Sequence, residues 1–263
     1  MDVTDMDALI AATLASALMA ALWLWHLRLR NVGIVDVGWT WSVAVSAMVF
    51  SAMGTGDPLR RGLIAALVLI WAARLSWYLL RDRVVGRPED GRYADLRARG
   101  SIAAAGRFLP FFLVQGVLAV FFALPVWLAS ANGAPAPRLL EIAAIVLWAA
   151  ALVGEATADR QLERFKARQG TRGLTCREGL WRWSRHPNYF FEWLVWVAFA
   201  LFASASPWGW LAFACPAVML YLLFRVTGIP ATEAQALRSR GDDYRRYQRE
   251  TSAFVPWFPE PGA

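Results

Sequence analysis

The sequence predicts an all-α, polytopic integral membrane bundle of about seven transmembrane helices, with the N-terminus outside and the C-terminus cytoplasmic. Three observations carry this. Hydrophobic residues make up 58% of the 263 and charged residues 18%, against roughly 45–50% and about 25% in soluble domains. Seven apolar runs can be marked, about 8–26, 34–52, 62–80, 108–130, 139–154, 189–204 and 208–224. Basic residues fall almost entirely into alternate connections between those runs.

A spanning helix needs roughly 20 apolar residues. Inside lipid every backbone polar group must be satisfied within its own segment, so the runs are helices rather than open sheet. The first run follows Asp2, Asp5 and Asp7 with no basic residues before it, and reads as a retained helix rather than a signal peptide. The fifth and sixth runs are short. Of the 27 basic residues, 22 lie after run 1, between runs 3 and 4, between runs 5 and 6, and after run 7. Arg60, Arg61 and Arg138 lie on the other side, and the positive-inside rule gives the orientation stated. The whole chain, 1–263, reads as one transmembrane domain. The net charge of +7 is topological rather than a nucleic-acid footprint, although so basic a face also attracts anionic ligands or headgroups. Cys176 and Cys215 predict neither a disulfide framework nor a metal site. Trp23, Trp25, Trp127, Trp208 and Trp210, near run ends, read as interfacial anchors. Pro256, Pro259 and Pro261 mark a non-helical tail.

Ionisable residues within spans are costly and point to function. Asp36, early in run 2, has no basic residue within a helical turn. It reads as a helix cap or interfacial residue, or as a functional carboxyl in an apolar pocket, able to donate a hydrogen bond to a carbonyl when protonated. Arg74 in run 3 either snorkels to the interface or faces a ligand. Glu155 and Asp159, i and i+4 on one helix face, need a cation or donor between them: Arg160, Arg164 or a ligand. Arg225, ending run 7, complements the helix dipole or meets a ligand. The densest stretch is 179–192, where Arg185, His186, Asn188, Tyr189 and Glu192 crowd the start of run 6 behind Pro187, which suits a first helical turn. Asn188 and Glu192 share a face and can read a carboxamide; the plain alternative is an interfacial belt. His26 stands without a nearby partner. There is no Gly-rich dinucleotide fingerprint and no P-loop, nor a Gly-x-Ser-x-Gly elbow.

The block GLWRWSRHPNYFFEW (179–193), the pair Glu155 and Asp159, the GRP at 86–88 and the tail GDDYRRYQRETSAFVPWFP (241–259) resemble the steroid 5α-reductase family, and its bacterial members most closely. The resemblance implies seven spans, NADPH as cofactor without a Rossmann domain, and reduction of the C=C bond of a conjugated enone such as a 3-oxo-Δ4 steroid. Carried over by position, it assigns NADPH contacts to Arg74, Arg87, Glu155, Asp159, Lys166, Arg172, Asn188, Glu192 and Arg225. Arg185, His186 and Tyr189 of the same block join this candidate set. Arginines suit the phosphates. Asp36 falls where the family has a carboxylate facing the substrate carbonyl, with Tyr78 as a further donor. Val35, Trp71, Phe191, Ile229 and Glu233 depart from the family pattern, and bear on the substrate more than on the cofactor. The implied partners are an apolar steroid-like or enone lipid and membrane lipids, with no nucleic acid. The chain is expected to be a monomer in the bacterial inner membrane. A rival resemblance is to isoprenylcysteine carboxyl methyltransferases, which would imply S-adenosylmethionine. A transporter would more often show inverted repeats and broken helices, and neither is found.

Overall fold

The computed structural model describes residues 3–86, 89, 108–171, 173–226 and 228–260. Among the described residues there are helices and no strands. Six helical runs are long and apolar enough to cross a membrane: Met6–Leu29, Ile34–Met53, Pro58–Val84, Phe108–Ser130, Leu139–Ala167 and Gly209–Arg240. Pro187–Ala203 is apolar but shorter. The chain is a multi-pass membrane bundle. Large apolar side chains such as Leu9, Leu14, Ile70, Val114, Val146 and Val153 stand exposed on these helices, where the solvent is lipid rather than water.

The chain divides into two compact units, one of residues 1–141 and 201–215, the other of 142–200 and 216–263. The first contains α1 (Val3–Leu29), α2 (Ile34–Met53), α3 (Pro58–Leu79), α4 (Phe108–Phe122) and α5 (Leu124–Ser130). Here α2 packs against α1, α3, α4 and α5, so it is the central helix. Twelve of its twenty residues are buried, small ones such as Ala44, Ser46 and Ala47 among them. Such residues let neighbouring backbones approach closely in a bundle without a water-driven hydrophobic effect. Asp57 caps α3, its carboxylate accepting from Arg60 N at 2.9 Å, and Pro58 follows in the first turn. Pro125 separates α5 from α4, since a proline cannot supply the helical N–H. The end of α3 widens into a π-helical turn, Leu80–Val84.

One end of this unit is closed by ionic and backbone bonds. Arg60 and Glu141 are both fully buried and paired through Nε and Oε1. Arg60 Nη1 also donates to Asn132 O at 2.7 Å and Ala134 O at 2.6 Å. Arg138 N donates to Glu141 Oε2 at 2.6 Å, and Asn132 Nδ2 reaches Ala205 O at 3.0 Å. The three basic residues on the side expected to carry few thus include one that ties a connection to two helix ends.

The second unit holds α6 (Leu139–Ala167, from Ile142 onward), α7 (Pro187–Ala203, as far as Ala200), α8 (Ala214–Arg225, from Pro216), α9 (Ile229–Arg240) and α10 (Asp242–Glu250). The apolar run ends at Gly154, but α6 continues to Ala167. Its polar continuation is rich in Glu, Ala, Arg, Gln and Lys, good helix formers, so hydropathy ends before the helix does. Gly154 is where α7 comes closest: a Cβ there would lie 2.5 Å from the Phe191 ring. The large side chain at 191 is accommodated by the missing one at 154. Gly154→Ala is expected to destabilise the unit by about 1–3 kcal/mol through overpacking, and adding Phe191→Ala should recover part of that loss. Thermal unfolding of the two variants in one detergent checks this.

Candidate functional site

In the first unit the predicted substrate-facing groups lie around the start of α2 and the end of α3. Asn31 Oδ1 accepts from Gly33 N at 2.8 Å, and its amide donates to Arg83 O at 2.9 Å. Glu89 Oε1 accepts from Val32 N at 3.0 Å. These bonds fasten the α1–α2 turn to the π-helical turn. They bring Arg83 Nη1 to 2.6 Å from Asp36 Oδ2, with both side chains about one-fifth exposed. No basic residue lies within a helical turn of Asp36, and its basic partner lies 47 residues away in sequence. That Asp36 oxygen is thus engaged as the acceptor of a guanidinium N–H. A phenolic hydroxyl such as that of Tyr78 can donate a hydrogen bond. Tyr78 packs against the buried cluster that contains Val35 and Val37, the two neighbours of Asp36, and the Arg74 guanidinium lies 5.8 Å from its ring centre. Trp71, one turn before Arg74, is fully buried edge-on to Trp39 at 6.0 Å. His26 is a core histidine, bonded through Nδ1 to Trp23 O and packed on Phe108 and Phe112.

In the second unit α6 and α7 bring four predicted residues together. Glu155 and Asp159 are buried on α6. Asn188 Nδ2 donates to Asp159 Oδ1 at 3.3 Å, and Glu192 Oε1, one turn further along α7, accepts from Trp196 Nε1 at 2.9 Å. Arg160 does not screen the acidic pair: its Nε donates to Ala156 O on its own helix at 3.0 Å, and Arg164 is exposed. Three carboxylates and a carboxamide thus lie on α6 and α7, and such groups can accept hydrogen bonds.

The loop before α7 is pinned from several sides. Gly179, at φ 57°, makes a left-handed turn in which a Cβ would collide with Gln161, and Gln161 Oε1 accepts from Leu180 N at 2.8 Å. Trp181 Nε1 donates to Ala158 O at 2.9 Å. Tyr247 OH donates to Trp181 O, and lies 3.1 Å from Ser184 O.

Arg185, His186 and Tyr189 each have partners within the protein. Arg185 Nε meets Glu233 Oε1 at 2.7 Å, while its Nη1 donates to Gln248 O and Thr251 O at 2.9 and 2.7 Å. His186 Nε2 lies 3.2 Å from the same Glu233 oxygen, and Gln248 Nε2 donates to Glu233 Oε2 at 2.8 Å. Tyr189 stacks on His186 at 5.4 Å, and its hydroxyl is 3.2 Å from Thr232 Oγ1. These bonds fasten α9 and α10 to the start of α7. Burial pushes the His186 imidazole below its ordinary value, against the opposing pull of Glu233. Glu233, which the sequence marks only as a departure from the family pattern, is the shared acceptor of Arg185 and His186.

Of the remaining candidates, Lys166 lines a cleft of about 410 Å³ with Phe165, Arg168, Thr171, Cys176 and Arg240. Arg168 there is paired in a two-pronged contact with Glu178 at 2.9 and 2.5 Å. Burial pushes the Cys176 thiol up, against the opposing pull of Arg168 and Arg240. Arg225 is the exposed last residue of α8. Arg87 and Arg172 lie outside the described residues. No group of three or more metal-ligating side chains occurs among the described residues.

The chain is similar to the uncharacterized protein C594.04c of Schizosaccharomyces pombe, with 27% identity over 264 residues that cover 89% of this chain and 75% of that protein. No solved structure matches it significantly. Residues 22–251, which are most of the chain and carry every candidate side chain named above, match one family, and the chain belongs to that family, described as Protein of unknown function (DUF1295).

Proposed function

We propose that this protein is an NADPH-dependent reductase of the C=C bond of a conjugated enone lipid, a 3-oxo-Δ4 steroid being the chemical type, and that it works in the bacterial inner membrane. The observation that carries the reading is the acceptor ridge of Glu155, Asp159, Asn188 and Glu192. Carboxylates and a carboxamide oxygen accept hydrogen bonds, and the nicotinamide carboxamide and its ribose hydroxyls donate them. That chemistry supports the nicotinamide half of the cofactor. Its phosphates need cations, and the second unit offers Lys166 in its cleft and the exposed Arg225. Arg185 and His186 are not counted, since Glu233 holds them.

Such a cofactor supplies a hydride to the β-carbon of the enone. What the chain must add is stabilisation of the negative charge that grows on the carbonyl oxygen and a route for a proton to the α-carbon. Because Asp36 is paired with Arg83, the donor to that oxygen is assigned to Tyr78. Asp36 is assigned the orientation of Arg83.

The ridge gives one rival reading support of its own. S-adenosylmethionine is a cation with ribose hydroxyls, so it too presents donors to carboxylates, and a membrane methyltransferase would use the same side chains.

Thermal unfolding of the detergent-purified protein with NADPH, NADH and S-adenosylmethionine side by side separates the two, because a ligand that binds the folded state alone raises its stability. A rise with NADPH is expected. A rise with S-adenosylmethionine only would overturn the reductase. A hydrogen bond to a charged group is worth about 1.5–3 kcal/mol, so Glu192→Ala should weaken NADPH binding about tenfold to hundredfold. Tyr78→Phe should leave binding intact while lowering turnover of a 3-oxo-Δ4 steroid about 100-fold or more; equal loss of both would remove Tyr78 from its role.

A further inference from the structure

The segment after α10 leaves the helix at Thr251 and runs back along the residues that precede α7. Arg185 N donates to Ser252 O at 2.8 Å, Ser184 Oγ to Phe254 O at 2.8 Å, and Trp257 N to Trp183 O at 2.9 Å. Phe254 is buried against three rings that belong to apolar helices. These are Phe190 at 5.6 Å and Trp193 at 6.0 Å in the first two turns of α7, and Phe224 at 5.3 Å in the last turn of α8. The segment is therefore fixed at the level where two apolar helices of a multi-pass membrane protein begin and end.

Beyond Phe254 the tail is apolar and turned outward. Val255, Trp257 and Phe258 are 53, 67 and 71% exposed. Backbone bonds at Trp257 N and Glu260 N hold them in place, so they are not loose ends that can fold away. Phe258 leans on Trp183 at 5.3 Å, and the exposed Arg182 guanidinium lies 5.8 Å from the Trp183 ring. An exposed apolar patch in water marks something that it covers or enters. Aromatic rings with a neighbouring arginine suit the boundary between headgroups and acyl chains, where the rings meet the apolar side and the guanidinium meets phosphate.

We propose that residues 252–258 form an interfacial anchor, a fixed aromatic wedge that dips Val255, Trp257 and Phe258 into the bilayer leaflet beside the start of α7, with Arg182 on the lipid phosphates. The occupant is the lipid of that leaflet. The position of Phe254 between two apolar helix ends favours it over a protein partner, which would meet the patch away from the membrane boundary.

The wedge is tested with the full chain in nanodiscs of phosphatidylcholine and phosphatidylglycerol. A polarity-sensitive fluorophore is placed by Trp257→Cys, and by Val255→Cys in a second preparation. Cys176 and Cys215 are buried, and the labelled wild type supplies the background. Asp242→Cys, at a side chain 94% exposed on α10, is the water-facing reference. The expected result is a blue-shifted emission at both tail positions, strongly quenched by a nitroxide on the upper acyl chain and spared by iodide, with the reverse at 242. Iodide quenching at both tail positions equal to that at 242 would overturn the proposal. So would protection from both quenchers, which would mean that protein covers the patch. No cofactor enters this measurement, so it stands or falls apart from the reductase reading.

Discussion

Arg60→Ala is expected to cost about 3–5 kcal/mol, the usual consequence of removing one partner from a buried ion pair. Glu141 would be left fully buried with its charge uncompensated, and the carbonyls of Asn132 and Ala134 would lose their donor. The loss is large against a total stability of about 5–15 kcal/mol. Glu141→Ala should be comparable, since it strands the guanidinium instead. The double replacement Arg60→Met with Glu141→Leu should recover much of the loss, because well-packed apolar residues of similar volume are often no worse than a buried pair. Denaturant or thermal unfolding of these proteins in one detergent, with Arg60→Ala/Glu141→Ala added to close the alanine cycle, measures this. Strictly additive losses would show that the pair is not coupled.

Glu233→Ala is expected to loosen the far side of the second unit by about 3 kcal/mol, towards the lower end for a buried pair because the side chain is 15% exposed. Arg185 and His186 would both lose their acceptor, as would Gln248 and Tyr244. The damage should be local, so amide exchange in α9 and α10 should accelerate well before α1–α5 respond. The same site carries a pH dependence. His186 binds its proton less readily in the fold than its ordinary 6.5, because it is buried. The unfolded chain therefore takes up that proton first as pH falls, and linkage requires stability to drop as pH goes down through about 6.5. The drop continues until the folded protein is protonated as well. His186→Gln removes this contribution, so its unfolding temperature should fall less steeply between neutral and mildly acidic pH.

What could be read from the chain and what could not differ by the range of the interaction. Apolar runs are local, and six of the seven appear as helices of spanning length and composition. The exception, Pro187–Ala203, is short in both. The end of α6 escapes hydropathy because Glu155 to Lys166 are polar, and hydropathy registers lipid exposure rather than helix propensity. The i, i+4 pairing of Glu155 with Asp159 and of Asn188 with Glu192 is local too, and the structure sets the two pairs on facing helices. Partners distant in sequence were out of reach. Asp36 reads as isolated because Arg83 arrives only through the π-helical turn that closes α3. Arg185 and His186 read as ligand-binding because Glu233, 48 and 47 residues on, leaves no mark of its purpose in the sequence around it. Density of polar groups near a membrane helix marks an important place without telling whether its partner is a ligand or the protein.

The bond from Tyr247 to Ser184 O joins groups 63 residues apart, and so sets a timetable for biosynthesis. At about 5–20 residues per second, roughly 3–13 s separate the synthesis of the loop before α7 from that of its clasp. Through that interval α7 must be inserted while the carbonyls of Trp181 and Ser184 still rely on water. The second unit thus closes from its distal end backward, and a nascent chain halted ahead of residue 247 would present an unclasped loop to the quality-control machinery however well its helices had been inserted.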